Sequence, residues 1–124
     1  MKNDCLFCKI VNKEVPASIL YEDDDLMVIL DAFPHTDGHT LVIPKKHYED
    51  IYNVPDEVLI KMLNQGKIIT KDLMQKLNKT AASLLFNYGD SQAIKHIHLH
   101  LLPNYQKPTH KYSKDEIYNI LNKG

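Results

Sequence analysis

The first half of the chain alternates short apolar runs with turn-forming residues. The runs "SILYED" and "LMVILDAF" are rich in Ile, Leu and Val, and the acidic stretch from Glu22 to Asp25 separates them. Runs of this length and composition predict two strands that pair as a hairpin. A loop marked by Pro34, Asp37 and Gly38 follows, and "HTLVIP" predicts a third strand that its proline ends. The segment "CLFCKIVNK" before these strands predicts a short helical turn.

A helical pattern begins at Pro55 and continues to Lys79. Pro55 and Asp56 are helix start signals. Apolar residues then recur at helical spacing, at Val58, Met62, Ile69, Leu73 and Leu77. The segment therefore predicts one long helix. Gly66 inside it costs about 1 kcal/mol relative to alanine, which leaves the continuity of the helix at that point open.

The last third of the chain predicts two more strands and a terminal helix. "AASLLFNY" and "KHIHLHLLP" are extended segments joined by the tight turn "GDSQ". In the tail "SKDEIYNILNK", Ser113 is followed three residues later by Glu116, a capping-box pattern that predicts a short helix. Five strands, two or three helices and short connections predict an α+β domain built on an antiparallel sheet.

Composition limits the class of protein. A chain of 124 residues fits one domain, residues 1–124, with an ordinary globular share of 44% hydrophobic and 25% charged residues. The formal net charge of -1 provides no basic field, so we expect no nucleic-acid partner. No apolar run approaches the length of a membrane span, and the N-terminal residues lack a signal-peptide pattern. We therefore expect a soluble cytoplasmic protein that does not contact membranes.

The stretch "KHIHLHLLPN" places His96, His98 and His100 at alternate positions. On a strand these side chains point to one face, and the apolar residues between them point to the other, which needs a helix against it. Neighbouring imidazoles then start about 6.7 Å apart and can share a metal ion, whereas the outer pair is about 13 Å apart. One zinc ion cannot comfortably bind all three.

Four uses of this histidine row remain open on residue types alone. The row can be the polar edge of a half-buried strand, although Thr, Lys or Glu would serve that purpose. A neutral imidazole can also act as a nucleophile, as a proton donor after protonation, or as a metal ligand.

Cys5 and Cys8 are the only two cysteines, and they form a C-x2-C pair. A disulfide-stapled secreted domain would distribute more cysteines along the chain. The pair therefore indicates a zinc site or a redox motif, and two free buried thiols are the alternative. A tetrahedral zinc site needs two further N or S ligands.

The motif "HIHLHLL" resembles the signature of the histidine triad (HIT) family. The resemblance extends to "CLFCKIVNKEVPASILYEDD", "LDAFPHTDGHTLVIPKKH" and "FNYGDSQAIKHIHLHLLP", and within the family it points to the Hint-like branch of nucleotide-binding hydrolases. It implies a homodimer in which two five-stranded sheets join into one of ten strands. It also implies cleavage of purine nucleoside phosphoramidates, aminoacyl-adenylates or dinucleoside polyphosphates through a covalent nucleotidyl-histidine, with release of AMP or GMP.

The resemblance assigns chemistry to individual residues. His98 matches the family's nucleophile, and His100 matches the residue that contacts the phosphate. His39 matches a histidine that lines the same pocket, and Asp31 matches the carboxylate that accepts both ribose hydroxyls. On residue type alone, an aspartate at a strand end is more often a turn or cap residue.

Further residues match the family's nucleotide-binding walls. Those implied for the base are Leu6, Phe7, Ile10, Val15, Ile29 and Ala32, for which plain core packing is an equally good explanation. Those implied for the phosphate-cradling loop are Asn87, Ser91, Gln92 and Ala93.

This loop departs from the family pattern in two ways. It is two residues shorter than usual, with Ser91 where a glycine is common, and Ala93 lacks the hydroxyl or amide often found there. Backbone N–H groups can still bind the anion. Substrate choice and turnover are the properties these changes affect.

The resemblance also completes the metal site. In bacterial Hint-like proteins with the cysteine pair, histidines matching His47 and His96 complete a Cys2His2 site for a structural zinc ion. His96 would then serve the metal, while His98 and His100 serve the phosphate. Three functions follow as hypotheses: a nucleotide hydrolase, a nucleotide-binding adaptor with little activity, and an enzyme using the histidine row as catalytic metal ligands.

Overall fold

The structure is a computed structural model that describes residues 4–122. In chain order its elements are α1 (Leu6–Val11), β1 (Ile19–Glu22), β2 (Leu26–Leu30), β3 (Thr40–Pro44), α2 (Asp56–Lys76), β4 (Ala82–Phe86), a 3-10 turn (Gly89–Ser91), β5 (Leu99–Pro103) and α3 (Lys114–Leu121). The strands form one antiparallel sheet in the order β1-β2-β3-β5-β4. The predicted α+β class with a five-stranded antiparallel sheet is confirmed.

Both faces of the central strands are covered, so every residue of β2 and β3 is buried. One face carries the core under α2 and α3, formed by Leu26, Val28, Leu30, Val42, Met62, Leu73, Leu99, Leu101, Ile117 and Leu121. The other face carries the core under α1, formed by Cys5, Phe7, Cys8, Ile10, Met27, Ile29, Leu41 and Ile43. Because side chains alternate along a strand, adjacent residues of β2 and β3 contribute to opposite cores.

The long helix α2 is continuous through Gly66. A Cβ atom at this position would lie 2.7 Å from Cδ2 of Leu99, which belongs to β5. The glycine therefore lets the helix approach the sheet more closely than any other residue allows. The predicted apolar face is also confirmed, since Met62 and Leu73 are buried in the core.

All five strands are shorter than the predicted segments, and for β2 and β5 the cause can be identified. β2 ends at Leu30 because the Asp31 side chain starts a turn, its Oδ1 accepting the N–H of Phe33 at 2.9 Å. β5 begins at Leu99, so the prediction of a strand from Lys95 is wrong at its start.

The cause of the late start of β5 lies in its two neighbours. The pairing with β4 ends at Phe86, opposite Leu99. On the other side, β3 ends at Pro44, which has no N–H to donate. The N–H of Ile97 bonds to the carbonyl of Tyr48 at 2.8 Å instead. His96 and His98 therefore lie in an irregular segment that leads into the strand.

The terminal helix α3 begins with the predicted capping box. Ser113 Oγ accepts the N–H of Glu116 at 3.1 Å, and a Glu116 carboxylate oxygen accepts the N–H of Ser113 at 2.9 Å. Lys123, the end of the predicted helix, lies outside the described residues. None of the helices described between residues 4 and 122 has the length and apolar character needed to cross a membrane.

Candidate active site and metal centre

A cavity of about 290 Å³ opens between α1, the end of β2 and the segment before β5. Its walls are mostly apolar. They are formed by Leu6, Phe7, Ile10, Pro16, Ala17, Ile29, Leu30, Asp31, Ala32, Phe33, Leu41, Ala93, Ile94, His98, His100 and Lys114. A concave apolar site with a few converging polar groups is the usual form of a small-molecule site.

His98 presents a neutral imidazole to this cavity. Its Nδ1 lies 2.8 Å from the backbone carbonyl oxygen of His96. A carbonyl only accepts, so the ring proton is on Nδ1 and the lone pair is on Nε2. Burial lowers the pKa of His98, and the ring of Phe7 packs edge-on against it with centroids 4.9 Å apart. The side chain is thus oriented with a nucleophilic nitrogen available.

A directed chain of hydrogen bonds runs through two further histidines. The backbone N–H of His35 donates to Nδ1 of His39 at 3.0 Å, so the proton of His39 is on Nε2. That Nε2–H donates to Nδ1 of His100 at 2.9 Å. The proton of His100 is therefore on Nε2, and the Asn87 side chain 3.3 Å away is its acceptor when the amide is oriented with Oδ1 toward the ring.

Burial keeps these imidazoles neutral. It lowers the pKa of His100 to about 3, with the neighbouring rings of His98 and His39 acting in the same direction. Burial also lowers the pKa of His39, although the carboxylate of Asp31 partly offsets this effect. At neutral pH the three rings therefore carry no positive charge.

Asp31 stands at the end of β2 with its carboxylate at the cavity wall. One oxygen accepts the Phe33 N–H, and the other lies 3.5 Å from Nε2 of His39. A carboxylate has further lone pairs beyond these two contacts. It can accept hydrogen bonds from a ligand's hydroxyl groups.

Three potential ligand atoms, one each from Asp31, His39 and His100, lie within 4.8 Å of one another, which is close enough to share a metal ion. The tautomer of His39 opposes this use. A metal on its Nε2 would require the proton on Nδ1, which already accepts the N–H of His35. The group is a hydrogen-bonded chain, which argues against the hypothesis of a catalytic metal on the histidine row.

A second cluster lies beside the cavity, where the ligand atoms of Cys5, Cys8, His47 and His96 all lie within 4.8 Å of one another. The Sγ of Cys5 is 3.3 Å from Nδ1 of His96, and the Sγ of Cys8 is 3.3 Å from Nδ1 of His47. Tetrahedral zinc with its usual bond lengths separates S and N ligands by about 3.5 Å. The donor set and the spacing both fit zinc.

The hydrogen bonds around this cluster favour metal binding. Nε2 of His96 lies 2.7 Å from the carbonyl oxygen of Pro44, which holds the proton on Nε2 and leaves Nδ1 for the metal. Burial lowers the pKa of His96 to about 4, so the ring is neutral as a ligand must be. The four residues form a zinc-binding site that ties α1 to the segments after β3 and before β5.

Most residues implied for the base and ribose line the cavity. Those are Leu6, Phe7, Ile10, Ile29, Asp31 and Ala32, together with His98, His100 and Ala93. Val15 is not in the wall and packs against the core under α1. His39 stands behind His100 and reaches the site through it.

Three residues implied for the phosphate loop do not line the cavity. Asn87 contacts His100, and the exposed Ser91 bonds to the Tyr88 carbonyl. Gln92 is turned inward, where its Nε2 donates to the carbonyl of Glu49 at 2.8 Å. It braces the loop, and the wall at this point is formed by Ala93 and its neighbour in the chain.

Seven wall residues were not predicted: Pro16, Ala17, Leu30, Phe33, Leu41, Ile94 and Lys114. Six of them are close in sequence to predicted residues or lie on the strands that carry them. Lys114 is different because it belongs to the terminal helix, beyond the histidine row. No local pattern pointed to it.

Comparison with known proteins finds relatives of one family. The HIT domain family matches residues 12–107. An uncharacterised HIT-like protein of Methanocaldococcus jannaschii is 36% identical over 118 residues, covering 94% of this chain and 91% of the relative. Adenylylsulfatase HINT3 of Arabidopsis thaliana is 37% identical over 109 residues, covering 86% of this chain and 55% of the relative.

Solved structures share the fold. A Zn-bound histidine triad family protein from Mycobacterium smegmatis superposes with a TM-score of 0.86 at 35% identity, covering 95% of this chain and 90% of that one. A hypothetical histidine triad nucleotide-binding protein from Sulfolobus tokodaii gives a TM-score of 0.85 at 30% identity, covering 94% and 89%.

Proposed function

The chain belongs to the HIT family, and on that premise we propose that it is a hydrolase acting at the α-phosphate of purine nucleotides. The substrates are nucleoside phosphoramidates, aminoacyl-adenylates or dinucleoside polyphosphates, of which the adenosine compounds are the first choice for assay. The orientation of His98 carries the proposal. Its Nδ1 is tied to the carbonyl of His96, so the Nε2 lone pair is available for attack.

The reaction takes two displacements at one phosphorus. In the first, the Nε2 lone pair of His98 forms a P–N bond while the bond from phosphorus to the leaving group breaks with its electron pair, and the leaving group takes up a proton from solvent. In the second, water forms a P–O bond and gives one proton to solvent, while the P–N bond breaks with its electron pair returning to Nε2, so that His98 is again neutral. The sum consumes one water and releases the leaving group and AMP or GMP.

The other groups have supporting roles in this proposal. His100 presents its Nε2–H to a phosphate oxygen in place of the Asn87 amide, because its Nδ1 already accepts the His39 proton. Asp31 accepts the ribose hydroxyls. Phe7 on α1 and Ile29 on β2 contribute to the apolar lining of the cavity, against which the purine base would lie.

The zinc site supports the nucleophile indirectly. Its ligand His96 is the residue whose carbonyl orients His98, so fixing His96 also fixes the direction of the His98 lone pair. Zinc supplies rigidity there when bound. The metal has no role in the displacement itself.

Turnover of an adenosine phosphoramidate with a fluorescent amine tests the proposal. His98→Gly should abolish amine release while AMP binding is retained. His110→Ala, which changes an exposed histidine outside the cavity, is the matched control and should leave turnover unchanged. AMP release at the wild-type rate by the His98→Gly variant would falsify the mechanism.

The phosphate loop favours one alternative, a nucleotide-binding adaptor. Ala93 lines the cavity with a methyl group where the family often has a polar side chain, so one contact to phosphate or leaving group is lost. Tight AMP binding by folded wild-type protein without detectable cleavage of the phosphoramidate would favour the adaptor over the enzyme.

We also propose that the protein is a homodimer joined at β4. This strand is at the edge of the sheet and pairs only with β5 within residues 4–122. Leu84, on β4 itself, is an exposed apolar residue at this edge. Pairing of two β4 strands would satisfy the open edge and bury this side chain.

Light scattering tests the assembly directly. Leu84→Glu should shift the mass from dimer to monomer. The control is Ile68→Glu, which changes an exposed apolar residue of α2 on the side facing β1. A monomeric wild-type protein would contradict the proposal.

A further inference from the structure

The cavity lined by His98 and His100 is here called the main cavity. Within residues 4–122, Lys114 is the one permanently cationic side chain in its wall. It lies beyond residues 12–107, the part of the chain that the family match covers. Lys114 therefore adds to the cavity a charge that the family resemblance did not assign.

A second, smaller cavity shows which residues neighbour Lys114. A smaller cavity of about 20 Å³ adjoins the main one and is lined by Leu30, Asp31 and Lys114 among others. Ala93, at the phosphate loop, lines only the main cavity. Lys114 is thus a neighbour of Asp31 in the lining of both cavities.

The C-terminal segment is anchored so that Lys114 stays at this place. Asp37, which is 4% exposed, accepts the N–H of Lys111 at 2.7 Å and the hydroxyl of Thr109 at 3.2 Å. The N–H of Asp37 in turn donates to the Thr109 carbonyl at 2.7 Å. The capping box at Ser113 then starts α3, with Lys114 as its first residue.

The charges at the site indicate a role for the Lys114 ammonium group. Asp31 brings a carboxylate to the cavity wall, and a nucleotide brings at least one further negative charge, whereas Lys114 is the one permanently cationic group there within residues 4–122. Within residues 4–122 no carboxylate forms an ion pair with Lys114. Its ammonium group is available to a ligand and offers three donors.

We propose that Lys114 is a ribose-binding residue that works in tandem with Asp31. The carboxylate of Asp31 accepts the protons of the ribose hydroxyls, and the ammonium of Lys114 donates to the lone pairs of their oxygens. Lys114 thereby makes the site selective for ribonucleotides over nucleotides without these hydroxyls. This inference rests on the proposed nucleotide binding at the cavity.

Calorimetric titration with AMP and with 2',3'-dideoxy-AMP tests this role. Lys114→Met keeps the aliphatic stem and the helix propensity at an exposed position, so the variant should fold. The matched control is Lys107→Met, which changes an exposed lysine of the same segment that does not line the main cavity. Lys114→Arg tests rescue by another cationic donor.

We expect Lys114→Met to weaken AMP binding about tenfold, the effect of losing one hydrogen bond from a charged donor. The dideoxynucleotide should lose less than about twofold, because it lacks the partner oxygens. Lys107→Met should match the wild type, and Lys114→Arg should recover most of the AMP affinity.

Two results overturn the inference alone: unchanged AMP affinity in Lys114→Met, or an equal loss for both nucleotides, which would mean a general attraction of anions. Failure of the wild-type protein to bind AMP would overturn the proposed function together with this inference. The wild-type titration therefore separates the two failures.

Discussion

His96 and His98 are joined through a single carbonyl group: the Nδ1–H of His98 donates to the backbone oxygen of His96 at 2.8 Å, while the imidazole of His96 belongs to the zinc site. The irregular segment that leads into β5 thus connects the metal centre to the candidate nucleophile. Damage to the metal site should therefore affect folding first and the orientation of His98 with it.

Loss of a zinc ligand should destabilise the protein. Cys8→Ser replaces a buried cysteine whose Sγ is 3.3 Å from the His47 ring nitrogen, and serine is a poor zinc ligand. We expect loss of bound zinc and of at least about 2 kcal/mol of unfolding free energy. Zinc analysis and thermal unfolding measure both, with His110→Ala as control. Equal melting temperatures with and without a chelator would contradict a structural role for the metal.

The pH dependence of stability should report the buried His100. Burial lowers its folded-state pKa to about 3, whereas an unfolded histidine titrates near pH 6.5. Between these values the unfolded state binds more protons, so stability falls as the pH is lowered from 6.5 towards 3 and is independent of this group above that window. His100→Gln removes the titration.

The test compares wild type and His100→Gln at pH 7.5 and pH 5 by urea unfolding, with the same zinc content. The wild type should lose more unfolding free energy on acidification than the variant. The difference between the two losses gives the contribution of His100, because other acid effects are common to both proteins. Identical losses in the two proteins would show that His100 is not held neutral by the fold.

The anchor of the C-terminal segment should depend on the charge of Asp37. Asp37→Asn keeps the size of the side chain but weakens its bonds to the Lys111 N–H and the Thr109 hydroxyl. We expect a loss of about 1–3 kcal/mol in the free energy of unfolding by urea, the usual effect at a buried hydrogen-bonded charge. The control Asp90→Asn changes an exposed aspartate and should be neutral. A neutral Asp37→Asn would mean that the segment is held by other contacts.

Close packing of α2 on the sheet should make Gly66 hard to replace. Gly66→Ala gains helix propensity, yet its Cβ would lie 2.7 Å from Cδ2 of the buried Leu99. We expect a net loss of about 1–2 kcal/mol by chemical unfolding, because overpacking a core displaces its side chains. Asn64→Ala, at an exposed position of the same helix, should be neutral or slightly stabilising. A stabilised Gly66→Ala variant would show that Leu99 moves aside freely.

The methyl group of Ala93 should limit turnover of the proposed substrates. Ala93→Ser adds a hydroxyl at the cavity wall, where it can donate to the phosphate or the leaving group. We expect kcat for an adenosine phosphoramidate to rise by about tenfold, equivalent to one hydrogen bond made in the transition state. Steady-state kinetics measure the change, with Ser91→Ala as the control at a loop side chain that does not line the cavity. Unchanged kcat would leave residue 93 without a role in the reaction.

Several parts of the fold and the site could be predicted because they depend on neighbouring residues. The apolar spacing of α2 and the box formed by Ser113 and Glu116 are local patterns, and the structure confirms both. The C-x2-C pair indicated a zinc site or a redox motif, with two free buried thiols as the alternative, and the family resemblance supplied His47 and His96 as the other zinc ligands. The cluster of these four residues in the structure agrees with that set.

Other features could not be predicted because they depend on segments that are distant in sequence. The start of β5 is set by where β4 and β3 end, and the inward turn of Gln92 is set by the Glu49 carbonyl. Lys114 reaches the cavity because Asp37 anchors the segment before it.

The sequence by itself determined the elements, the apolar faces and the types of chemical group that meet at the site, since these follow from short-range periodicity and residue chemistry. The tertiary structure alone decided which nitrogen carries the proton in four histidines at the two sites, His39, His96, His98 and His100. That choice depends on one partner atom for each ring: the His96 carbonyl for His98, and the His35 N–H for His39. Every residue has the same backbone groups, so the sequence does not show which carbonyl or N–H will face a given ring. Packing of distant segments decides this, and with it which nitrogen of each ring can act.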